Sequence, residues 1–260
     1  MSAETDSALA SLLSEANNKL QRAGEFLQLA VDGIPPVSDA QMVYTKRQAE
    51  SVANVALDVH LLVSHQRFQN VVGLCRIGFE SRISMCAALR VPEFAAQKLL
   101  AGVEGHVGEL EDLIKSGVKS PGFHQALENH RQLLNQMRND FGEIQARKWW
   151  PFGEVAKAAN LMADYEEHYS TLSKAAHNTP TGLFSKDDLR ILVSTVLRLL
   201  HDTIEACVCL VFFREHDNSR SKPLTTKWKE LAEPINSLKS EHGELSGRLS
   251  ALCAETLRGE

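Results

Sequence analysis

A chain of 260 residues, 43% hydrophobic and 23% charged, is long enough to bury a substantial core and has the make-up of an ordinary globular protein. Its formal net charge of −5 excludes a global basic field that would draw in nucleic acid, and leaves open only a local basic groove. The longest apolar run, IEACVCLVFF at residues 204–213, falls far short of the ~20 residues that a membrane span needs.

The opening residues, MSAETDSALASLLSEANNKL, lack a basic segment followed by an uninterrupted apolar core, so no signal peptide is expected. The five cysteines, Cys75, Cys86, Cys207, Cys209 and Cys253, form no CxxC pair and lie in helical, mostly apolar contexts. They read as reduced, buried thiols of a cytoplasmic protein. Cys207 and Cys209 fall on different faces of a helix, which argues against a shared metal.

Residues 6–31 place Leu9, Leu12, Leu13, Leu20, Phe26, Leu27 and Ala30 mostly at helical spacings. The prolines of GIPPVSD end that helix, and Ser38 or Asp39 can cap the next. That second helix runs to about His60 or Val63, and a third covers about 66–89. Pro92 opens a fourth helix that reaches about Lys115. A polar helix is expected over 122 to about 147, interrupted by WWPFG, and a helix or helix pair over 154–177. Asp187 or Asp188 caps a long helix to about Arg214, and a charged amphipathic helix closes the chain at about 225–257. No stretch alternates with β-branched enrichment. The fold class is therefore all-α, a bundle of roughly seven or eight helices with no sheet. The expected organisation is an N-terminal helix (1–37), a helical core domain (38–215) and a C-terminal helix (216–260) that is either an arm or packed on the core.

The run DYEEHYSTLSKAAHNTPTG carries Tyr165, Tyr169, Ser173 and His177, each four residues after the last, which stacks them on one face of a helix. A hydroxyl-rich face ending in an imidazole suits either a binding site or a set of satisfied hydrogen bonds within a bundle. The apolar helix at 71–89 carries Arg76, Glu80 and Arg82, and Arg76 and Glu80 are spaced to pair. They form either a structural ion pair or the lining of a cleft. The helix at 189–213 holds Arg198, His201 and Glu205 among apolar residues. Asp164 with His168, and His201 with Glu205, have helical contact spacing, which is common without a metal. No Glu-x-x-His pairs, Gly-rich phosphate loop or GxSxG elbow is present, and no metal or other cofactor is expected. Trp149 and Trp150, before Pro151, read as a packing corner rather than an exposed recognition surface. The basic residues Arg214, Arg220, Lys222, Lys227 and Lys229 flank a linker and read as solvated.

With Leu74, Arg76 and Glu80 in one helix and Tyr169, Leu172, Ser173 and His177 about ninety residues later, the chain resembles a bacterial domain-of-unknown-function family, number 5677. That family's pattern is an L-x-R-x-x-x-E helix followed by a Y-x-x-L-S-x-x-x-H element, and the resemblance spans roughly residues 40–215. It brings no established activity, and it implies a stress or phage-defence setting. More distantly, the chain is similar to HEPN-type helical-bundle ribonucleases, which place an arginine four to six residues before a histidine. Here those positions are Ser173, Leu172 and Thr171, so Lys174 or Arg76 would have to supply the cation.

Two functional expectations follow. The first is a cytoplasmic binding or regulatory module with a polar pocket built by Arg76, Glu80, Tyr165, Tyr169, Ser173 and His177. The second is a metal-independent ribonuclease in which His177 moves the proton and Arg76 or Lys174 holds the phosphate. RNA or a protein is the expected partner, a membrane is not, and a homodimer would strengthen the nuclease reading.

Overall fold

The computed structural model describes residues 3–34, 39–117, 120–144, 146, 150–178, 186–216 and 224–258. Within these, the side chains at 3, 69, 121, 171, 174–178, 186–188, 212–216, 224–229 and 256–258 are not described. Among the described residues there are nine α-helices, one short 3₁₀ turn and no strand. In chain order the helices are α1 (Ala3–Asp32), α2 (Ala40–Ser64), α3 (Val71–Arg90), α4 (Pro92–Lys115), α5 (Pro121–Phe141), α6 (Phe152–Ala159), α7 (Met162–Asn178), α8 (Lys186–His216) and α9 (Leu224–Arg258). The all-α bundle expected from the hydrophobic periodicity is the fold observed, with one or two more helices than anticipated. No described helix is long and apolar enough to cross a membrane.

Local chemistry sets the boundaries. Asp39 caps α2 by accepting the Met42 amide at 3.1 Å. At the other end His65 donates from Nδ1 to the Leu61 carbonyl at 2.8 Å. Pro92 stands at the start of α4, where its missing N–H costs nothing. The polar helix α5 stops at Phe141 rather than near 147, because Gly142 turns the backbone into the left-handed region (φ 62°). The 154–177 segment is a helix pair: Asn160 adopts a left-handed conformation (φ 58°) and ends α6 before α7 begins. Helix α8 begins at Lys186, so Asp187 and Asp188 lie in its first turn instead of preceding it.

The core is assembled around α2, α3 and α8, with α1 packed against both α2 and α8. Leu12, Leu20 and Leu27 of α1, Val52, Ala56 and Val59 of α2, Phe79 and Ile83 of α3, and Leu199 and Leu200 of α8 are sealed from solvent. Burying each such large side chain contributes about 1.5–3 kcal/mol relative to leaving it exposed. At Gly78 the helices come closest: a Cβ there would lie 2.7 Å from Leu199 Cδ1 and 3.2 Å from Val55 Cγ1. Trp150 fills the corner before α6, edge-on to Phe94 with ring centroids 5.1 Å apart, and donates from Nε1 to Gln97 at 3.2 Å. Trp149 lies outside the described residues. Helix α9 lies on α1 and α8 through Ile235, Leu238 and Leu245. Ion pairs from Lys19 to Glu241, Glu15 to Arg248 and Glu205 to Lys239 border that contact.

Candidate functional site

The polar residues that the apolar helices carry separate into two sets with different environments. The first is a charge cluster sealed between α3, α7 and α8. Arg82 is 3% exposed and Asp202 is fully buried. Arg82 reaches the Asp202 carboxylate (Nε–Oδ1 3.0 Å) and also donates to Asp164. Arg198 bridges the same two carboxylates, at 3.0 Å to Asp164 and 3.1 Å to Asp202, and its guanidinium lies 5.2 Å from the Phe79 ring centroid. Two arginines and two aspartates thus close a neutral ring. The contacts to Asp202 are off-line for hydrogen bonds, so that carboxylate is held by charge.

Burial works against the charge on Arg82, but Asp202 and Asp164 outweigh it and hold the guanidinium above its ordinary value. Burial likewise opposes ionisation of Asp164, yet the hydrogen bond and charge of Arg82, with the charge of Arg198, keep its carboxyl below the ordinary range. Three histidines stand around this ring. Desolvation pushes His168, His201 and His242 below the usual imidazole value, and the Arg198 charge adds to the shift at each. The ring has the character of a structural element: each charge has an opposite partner, and it is partly open only at Asp164 and Arg198, whose side chains are 29% and 14% exposed.

The second set lies along the outer seam of α3 and α7. Arg76 donates from Nε to Glu80 at 2.8 Å, one turn on, and from Nη2 to the Tyr169 hydroxyl at 3.1 Å. The i, i+4 pairing anticipated on α3 is therefore formed, and the contact to Tyr169 joins residues 93 apart in sequence. The Arg76 and Glu80 side chains remain 24% and 34% exposed, unlike Arg82. Glu80's hydrogen bond to Arg76 outweighs desolvation and holds the guanidinium above its ordinary value. Four-residue spacing on α7 stacks Tyr165 on Tyr169 with ring centroids 4.8 Å apart, and Phe152 of α6 closes against both at 5.8 and 5.1 Å. The Arg76 guanidinium sits 5.3 Å from the Tyr169 ring centroid. Leu172 is buried and Ser173 half-buried on the same helix.

The structure thus brings together Arg76, Glu80, Tyr165 and Tyr169 and leaves Ser173 one turn further along α7. The side chains of Lys174 and His177 lie outside the described residues. What the seam can do chemically is present a guanidinium and a carboxylate beside a wall of three aromatic rings. Two clefts lie elsewhere: one of about 500 Å³ lined by Leu61, Arg67 and Leu74 among others, and one of about 610 Å³ between the starts of α2 and α4 and the end of α5. Among the described residues no group of three or more histidines, cysteines or acids is placed to hold a metal.

Residues 51–189, from the second half of α2 to the start of α8, match the profile of the Family of unknown function (DUF5677). The chain belongs to this DUF5677 family. The match takes in the whole α3–α7 seam and one half of the sealed ring, Arg82 and Asp164. It stops before Arg198 and Asp202, so the DUF5677 segment is completed by charges from outside it. No curated protein and no solved structure matches the chain.

The sealed ring was the part that sequence reasoning missed. Arg82 and Arg198 stand out as charges on apolar helices, and the rule that buried charges need partners could have predicted a pairing. Asp202 lies four residues after Arg198 on α8, a spacing signal that was there to be read, whereas its second partner, Arg82, comes from α3 and leaves no trace in the spacing. The pairing suggested for His201 with Glu205 is not the one formed. Glu205 meets Lys239, and the His201 ring faces His242 with centroids 5.4 Å apart.

Proposed function

We propose that the protein is a helical binding or regulatory module and that its binding surface is the α3–α7 seam, built by Arg76, Glu80, Tyr165 and Tyr169 and continued by Ser173 and His177. The observation that supports this reading is the Arg76–Tyr169 contact: a half-open guanidinium held across two helices, against an aromatic wall. A partly exposed arginine keeps its donors in a fixed fork and can exchange a tyrosine hydroxyl for a ligand oxygen at low desolvation cost. The acceptor that suits it is an acidic group, a phosphate or carboxylate, carried by a ligand with a flat apolar part to lie on the tyrosines.

The test is a titration of the full chain with inorganic phosphate and with adenosine monophosphate, followed through the Arg76 Nε–H resonance and the thermal midpoint. Binding shifts that resonance and raises the midpoint, as any ligand of the native state must. Tyr169→Phe retains the ring stack, removes the hydroxyl that the ligand has to displace and strengthens the response, and Arg76→Gln abolishes it. A wild-type resonance and midpoint that stay fixed up to millimolar ligand refute the proposed surface.

A further inference from the structure

Helices α3 and α8 run in the same direction and meet at successive points: Gly78 with Leu199, Arg82 with Asp202, Cys86 with Cys209. At the last of these steps the two sulfurs are 3.8 Å apart. Cys86 is 8% exposed and Cys209 is half-buried, so Cys209 is the more accessible residue of the pair. The remaining cysteines differ. Cys75 and Cys207 are buried, and desolvation pushes both thiols well up. Cys253 sits on α9.

We propose that Cys86 and Cys209 are a two-electron redox pair that closes to a disulfide when the protein meets a hydroperoxide. Cys209 is the attacking sulfur. It is the more exposed of the two, and the hydrogen bond it shares with Cys86, with the charges of Arg82 and Arg90, lowers its pKa against burial and the Glu205 charge. Its thiolate attacks a peroxide oxygen and the O–O bond breaks. The alkoxide leaves and takes a proton, and Cys209 becomes a sulfenic acid. Cys86 sulfur then attacks Cys209 sulfur, the S–O bond breaks, and the hydroxide departs as water with the Cys86 proton. Two thiols are oxidised by two electrons and one hydroperoxide is reduced to an alcohol and water. The sulfurs approach from 3.8 Å to about 2.05 Å as the bond forms.

The experiment treats the full chain with a small excess of hydrogen peroxide, blocks residual thiols, and measures intact mass and the peptide map. The expected result is a mass lower by about 2 Da before blocking, the two thiol hydrogens. The free-thiol count falls from the five cysteines of the sequence by two, and one disulfide-linked peptide joins residues 86 and 209. Cys86→Ser is expected to stop at a Cys209 sulfenic acid that dimedone traps, and Cys209→Ser to lose no thiol at the same dose. A wild-type map in which Cys86 and Cys209 stay free, or in which Cys209 links to Cys253, overturns the proposal. That map decides by itself if either serine variant fails to fold. The readout is independent of any ligand at the α3–α7 seam.

Discussion

Removing Asp202 is expected to damage the protein far more than removing any charge on the α3–α7 seam. Its carboxylate is fully buried between Arg82 and Arg198, at 3.0 and 3.1 Å. At such separations and an effective dielectric of about 20, each pair attracts by roughly 5 kcal/mol. Desolvation of the ions cancels most of this in the intact protein. In Asp202→Ala the attraction disappears and the desolvation cost of Arg82 stays, leaving two guanidiniums to share Asp164. The expected loss is about 3–5 kcal/mol, a large part of the ~5–15 kcal/mol that stabilises a typical domain. Urea unfolding of the folded variant, compared with wild type at constant slope, measures it. The double variant Arg82→Met with Asp202→Leu removes both charges and is expected to recover at least half of the loss. A loss below about 1 kcal/mol for Asp202→Ala, the range of a surface pair, or a double variant whose cost is the sum of the singles, would refute the idea that the ring acts as one unit.

Other outcomes follow from the same geometry. Glu80→Gln, which alters a pair that is 24% and 34% exposed, is expected to cost no more than about 1 kcal/mol in the same urea assay. His168, His201 and His242 have depressed pKa values in the folded state, so unfolding takes up protons as pH falls below the ordinary value of 6.5. Stability is therefore complete above pH 6.5 and declines as pH falls from there towards the folded values, and His242→Gln is expected to flatten that decline in a pH series of thermal midpoints. Gly78→Val drives two methyl groups into Leu199 and Val55 and is expected to cost about 2–3 kcal/mol by calorimetry. Incubation of single-stranded RNA with the protein in EDTA is expected to leave the RNA intact; cleavage that His177→Ala abolishes would replace the binding reading with the nuclease one.

The fold was legible because its information is local. Prolines at 92 and 121 start helices, Asp39 caps one, and apolar residues at helical spacing mark each buried face. The exceptions were positions whose backbone is decided by a single left-handed residue: Asn160 divides one expected segment, and Gly142 shortens another. The seam was legible for the same reason, since Tyr165–Tyr169 and Arg76–Glu80 are each one turn apart on a single helix. What spacing could not supply was the partner across helices. Tyr169 for Arg76, Asp202 for Arg82 and Cys209 for Cys86 are set by how α3, α7 and α8 pack, and no periodicity within one helix encodes that.

The seam between α3 and α8 also bears on how the chain comes to be folded as it is made. Arg82 leaves the ribosome more than a hundred residues before Asp202, and α1, which packs on α8, earlier still. A nascent chain that has reached residue 189, where the DUF5677 match ends, holds Arg82 with Asp164 alone and leaves the α8-facing sides of α1 and α3 uncovered. Such contacts between distant residues close slowly. The matched segment, cut out at its own limits, lacks α1 and nearly all of α8, and a fragment that extends through both is expected to have the higher thermal midpoint.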